Sequence, residues 1–88
     1  NFKEAMTQDN VVEVVNNFLV EEFEVEPELI IPSSNLRETL DLDSLDYVDL
    51  VVVIESNFGF KPTAEDFKAI GTFQDLYDYI FAKVTEEV

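Results

Sequence analysis

Between residues 11 and 23 the apolar positions recur at three- and four-residue intervals: Val11, Val14, Val15, Phe18, Leu19 and Phe23. That spacing puts them on one side of an α-helix and predicts a first helix from Val11 to Phe23. Asp9 or Asn10 is placed to cap its start, because either side chain accepts from an unpaired first-turn N–H. Pro27 stops it, since proline disfavours helical backbone in the residue before it. Residues 25–43 show no such period. Pro27 and Pro32 interrupt them, and Ser33, Ser34 and Asn35 are turn formers. The same stretch holds Leu29, Ile30, Ile31, Leu36 and Leu40. A connection this long and this apolar is expected to lie pinned across the helices.

A second helix is predicted from Ser44 to Phe58. Asp43 is its N-cap, Asp46 three residues on forms a variant of the capping box, and Gly59 suits a left-handed C-cap. A short helical turn follows Thr63, again with an acid, Asp66, three residues later, and Gly71 ends it. The last helix starts at Thr72 with Asp75 completing a third cap pair. Its stripe is Phe73, Leu76, Tyr77, Ile80, Phe81 and Val84. No segment alternates long enough to argue for a sheet. The expected fold is all-α: a small bundle of three long helices plus one short helix, with a long connection between helices one and two. Residues 1–88 are expected to form a single domain, with 1–6 flexible or foreign to the protein.

On the second helix the wheel separates two apolar sets. Tyr47, Leu50, Val51, Ile54 and Phe58 fall together and form the core face. Leu45, Val48 and Val52 fall roughly opposite, with Asp49 among them and Asp46 beside them. The helix dipole favours acids near an N-terminus by about 0.3–1 kcal/mol each, which accounts for Asp46 better than for Asp49. It does not account for the aliphatics. They either pack under the long connection or form a docking surface, in which acids steer a basic partner and aliphatics supply contact area. Docking is the preferred reading.

Composition narrows the function. With 47% apolar and 12% aromatic residues, the 88-residue chain has enough to build one core. Twenty acids against five bases give a net charge of -15, which repels nucleic acid and anionic membrane surfaces and points to partners with basic patches or to cations. Cys is absent, so there is neither a disulfide framework nor a thiolate metal site. His is absent too, which removes the commonest general base. No apolar run approaches the ~20 residues of a membrane span, and a cytoplasmic protein is expected. Asp41, Asp43 and Asp46 cluster, but a calcium loop starting at Asp41 would have Leu45 at its fifth position, Asp46 at its sixth and Val52 at its twelfth. The required oxygen ligands, glycine and glutamate are missing there, so no metal site is expected. An enzyme is not expected either: carboxylates abound, but a domain this small has little room for a sheltered cleft.

Ser44 stands where connection and second helix meet. On spacing alone it reads first as a second capping candidate. As a nucleophile it lacks a base, since Lys3, Lys61, Lys68 and Lys83 are scattered in sequence. It is far better suited to accept a group from another enzyme.

The run Asp43-Ser44-Leu45-Asp46, then Val48, Asp49, Leu50 and Val51, then Glu55 and Phe58-Gly59, resembles the second helix of acyl carrier proteins. Leu36 to Leu40 resembles the segment before the family's modification site. Asp66, Ile70, Thr72, Asp75 and Tyr79-Ile80 resemble its C-terminal pattern. The resemblance is to the stand-alone carriers and implies 4'-phosphopantetheine, transferred from coenzyme A to Ser44 by a phosphopantetheinyl transferase, with Asp43 marking the site. It implies acyl groups carried as thioesters for enzymes of fatty-acid or polyketide biosynthesis. Leu45, Asp46, Val48, Asp49, Val52 and Glu55 would dock those acyl-transferring and acyl-modifying enzymes through their basic patches, the carrier itself being a monomer. Aminoacyl or D-alanyl carriage, and an unmodified acidic interaction module, are the alternatives. Two positions depart from the family: Asp41 stands where Gly is frequent, and Leu42 where Ala or Met is frequent.

Overall fold

The computed structural model describes residues 7–86, so the expectation for residues 1–6 lies outside the described part of the chain. The elements are α1 (Gln8–Phe23), a 3-10 turn (Pro27–Leu29), α2 (Leu36–Leu40), α3 (Ser44–Phe58), α4 (Ala64–Ala69) and α5 (Phe73–Glu86). No strand runs among the described residues; one isolated bridge pairs Asn35 with Thr72.

α1 begins earlier than its apolar stripe. Thr7, in extended conformation, is the N-cap, and its Oγ1 accepts from the Asn10 N–H at 3.2 Å. Asp9 and Asn10, the expected caps, therefore lie inside the first turn, where the dipole favours an acid. α3, α4 and α5 begin where the cap pairs place them. Asp43 Oδ1 accepts from the Asp46 N–H at 2.9 Å. Thr63 Oγ1 accepts from the Asp66 N–H, and Thr72 Oγ1 from the Asp75 N–H, both at 3.1 Å. Asp75 Oδ2 in turn accepts from the N–H groups of Gly71 and Thr72 at 3.0 and 3.1 Å. Those two bonds hold the Asp75 carboxyl below the usual carboxylate range. Gly59 closes α3 at φ 84, a left-handed turn that suits glycine.

α2 is the correction to the expected inventory of three long helices and one short. It occupies the second half of what the sequence pattern gives as irregular connection. Asn35 accepts from the Glu38 N–H at 2.9 Å, so a residue read as a turn former is a helix cap. The connection is stitched to the head of α5 by backbone bonds from Leu36 N to Gly71 O, Phe73 N to Ser34 O and Gln74 N to Pro32 O, at 2.9–3.2 Å. Pinning is partial. Leu36 is in the core and Ile30 and Leu40 pack against it, but Leu29 and Ile31 face solvent.

The core joins one face of every α-helix. Val11, Val15, Phe18 and Leu19 come from α1, Leu50 and Ile54 from α3, Phe67 from α4, and Phe73, Leu76, Tyr77 and Ile80 from α5. Tyr47, Val51 and Phe58, expected on the core face of α3, are half-buried at its edge. Polar groups that enter find partners. Tyr77 donates to Asn16 Oδ1 at 2.7 Å; its burial pushes the phenol up, and that bond partly offsets the push. Tyr79 donates to Asp66 Oδ2 at 2.6 Å, which is the largest cause of that carboxyl lying low. Arg37 on α2 donates to the Phe67 carbonyl at 2.6 Å and to the Tyr47 hydroxyl at 3.2 Å, tying α2 to α3 and α4.

Candidate functional site

Ser44 is the first residue of α3 and is exposed. Asp43 takes the N-cap position with extended backbone, so Ser44 is the first helical residue, and its side chain is exposed. Capping is therefore done by Asp43, and the Ser44 hydroxyl makes no hydrogen bond to any described residue. The N–H groups of Ser44 and Leu45 lie at the open end of the helix, where a phosphodiester is favoured by the dipole. A phosphopantetheine joined at this hydroxyl fits on that ground. Asp43, exposed beside it, and Asp46, half-buried, oppose a second negative charge but are engaged in the capping box.

Asp41 has a conformational reason. It is the C-cap of α2 at φ 51, ψ 52, and its N–H donates to the Arg37 carbonyl. A glycine adopts that left-handed geometry freely; Asp is among the few other residues that tolerate it. The departure from the family pattern thus keeps the turn and adds a charge three residues from Ser44.

Along α3, Leu45 is 75% exposed, Val48 59% and Val52 53%. They do not pack under the connection. Asp49 and Glu55 are exposed as well, so five of the six expected docking residues face solvent on α3; Asp46 is half-buried by its cap. Two features were not legible beforehand. Leu40 and Leu42 lie half-buried next to this face, and Glu22 and Glu24 at the end of α1 approach it across a groove. The available signal was the acid-rich, base-free end of α1. Among the described residues no three His, Cys, Asp or Glu side chains converge as metal ligands, and no helix is long and apolar enough to cross a membrane.

The described residues thus form a packed all-helical domain with an exposed hydroxyl at the head of α3, flanked by exposed aliphatic and acidic side chains. Residues 13–80 match the family described as the phosphopantetheine attachment site. The chain is 34% identical over 79 residues to the acyl carrier protein of Thermosynechococcus vestitus, covering 90% of this chain and 98% of that protein. It is 34% identical over 71 residues to acyl carrier protein 2 of Ralstonia nicotianae, covering 81% and 88%. With the acyl carrier protein of Syntrophobacter fumaroxidans the identity is 36% over 76 residues, covering 86% and 89%. The chain belongs to the acyl carrier protein family. Its role is that of a carrier, and its cofactor is phosphopantetheine.

Proposed function

We propose that Ser44 is the residue that receives the arm and that the outer face of α3 is where partner enzymes dock, the cargo being an acyl group of fatty-acid or polyketide synthesis. The exposed, unengaged hydroxyl of Ser44 at the head of α3, inside the matched segment, carries this reading. When bound, the cofactor supplies the thiol that a Cys-free chain lacks. The chain's own residues do the rest. Asp43 fixes the helix head and, by taking the cap bond itself, leaves the exposed Ser44 hydroxyl free for the transferase. Leu45, Val48 and Val52 offer contact area, while Asp46, Asp49 and Glu55 attract a basic patch. The arm then works at the high effective concentration of a tethered group once the carrier has docked. Residues 1–88 act in this reading as one domain, monomeric and cytoplasmic.

Incubation with coenzyme A and a promiscuous phosphopantetheinyl transferase, followed by intact-mass spectrometry, tests the attachment. The wild type gains one phosphopantetheine and Ser44→Ala gains none. A gain retained in Ser44→Ala moves the site elsewhere. The acyl group found on protein purified from its own host separates fatty-acid or polyketide cargo from an aminoacyl one.

A further inference from the structure

The docking side of the molecule does not stop at α3. Two adjoining concavities, of about 190 and 300 Å³, share Glu22, Phe23 and Asp49 and together make up the groove between the end of α1 and α3. Its apolar lining includes Phe23, Val25 and Leu42, each half-buried, and the exposed Val52 stands at its edge. Glu22, Glu24, Asp46 and Asp49 supply its charge, and no Lys or Arg lines it among the described residues.

Folding accounts for Asp46 through its capping box but not for Glu22, Glu24 or Asp49. Glu22 lies in the last turn of α1, at the negative end of the helix dipole, and that turn holds no base. Glu24 sits at φ 58, a left-handed position where glycine is the usual occupant. The side chains of Glu22, Glu24 and Asp49 make no hydrogen bond or ion pair with any described residue. The groove's lining also reaches the head of α3: Leu42 and Asp46 line it, and each is two residues from Ser44 in sequence.

We infer that this groove receives a basic segment of the enzyme that modifies Ser44, so that α1 reads that partner together with α3. A Lys or Arg has the matching chemistry. Its methylene stem packs along Phe23 and Leu42 while its head group meets the carboxylates, and an Arg head does so in bidentate fashion. A partly enclosed groove excludes some of the water that screens an open surface pair, which makes each contact stronger and less sensitive to salt. The inference rests on the proposed docking role of α3, and its test separates the two.

Steady-state loading of the full chain by the promiscuous transferase, followed by mass spectrometry, is the assay. Glu22→Lys with Glu24→Lys is compared with Glu13→Lys with Glu65→Lys, an equal charge change at exposed sites away from the groove. Val48→Asp reports the face of α3 outside the groove. The groove pair is expected to raise KM about tenfold with kcat within about twofold, while the control pair changes KM by less than about threefold. The groove pair also melts no lower than wild type, because it relieves repulsion at the end of α1; this separates lost docking from lost fold. Equal KM for the groove and control pairs overturns the inference. If Val48→Asp raises KM while the groove pair matches the control, α3 alone docks the transferase and only the inference falls. If all three leave KM at the wild-type value, the docking reading of α3 falls with it.

Discussion

α3 and α5 are close in length and both rich in apolar residues, but they distribute them differently. α5 turns Phe73, Leu76, Tyr77 and Ile80 inward and leaves Gln74, Asp75, Asp78 and Ala82 in water. α3 turns Leu50 and Ile54 inward and yet keeps Leu45, Val48 and Val52 outside, among acids. Exposed aliphatics add nothing to a monomer's folding free energy and lower its solubility. Where a helix is apolar on the side that its fold does not need, a second use is the physical explanation. The amphipathicity of α5 explains why the chain folds, and the incomplete amphipathicity of α3 is the feature on which the proposed docking role rests.

Truncating each helix breaks this contrast most sharply. Phe73→Ala empties a fully buried site and is expected to cost about 3–5 kcal/mol in urea unfolding. Val52→Ala is expected within about 0.5 kcal/mol of wild type while weakening transferase loading. Similar costs for both would mean that α3's outer face is structural. Arg37→Ala comes next. It removes charged hydrogen bonds to Phe67 and Tyr47 at an exposed guanidinium and is expected to cost about 1–2 kcal/mol, with faster hydrogen exchange in α2. An unchanged exchange rate would show that α2 is held by Leu36 alone.

Salt acts on the two regions in opposite senses. Screening the net charge of -15 raises the melting temperature by a few degrees, and it also raises the loading KM by weakening steering toward α3. A melting temperature indifferent to salt or Mg²⁺ would mean that the acids are already compensated. The smallest effect concerns the head of α5. The Asp75 carboxyl lies below its ordinary 3.8, so its contribution to stability is complete above that pH and is lost as pH falls through the lower folded-state value. Asp75→Asn is therefore less stable than wild type at pH 7, and the gap closes in melts near pH 2. A gap independent of pH would assign the effect to the side chain's shape and not its charge.

Much of this was legible because it is local. Caps such as Asp43 with Asp46 and Thr72 with Asp75 act within one turn, and stripes such as that of α5 need only the helical period. α2 was missed although Asn35 and Glu38 have cap spacing, because five residues are too short to show a period beside two prolines. The N-cap of α1 was misplaced by two or three residues because its first turn carries no apolar residue to mark it. Ser44 was legible as the head of a helix, and the geometry adds that Asp43 leaves its hydroxyl unengaged.

The chain's own pattern thus determined the all-helical class, four of the five helices, three N-caps, the Gly59 C-cap and the residue at the head of α3. Only tertiary structure decided that α2 is stitched to α5 and that acids from α1 and α3 share one groove. The first set depends on neighbours within four residues, whose geometry the helix dictates. The second depends on segments more than twenty residues apart, which meet only after the core has chosen which faces to bury.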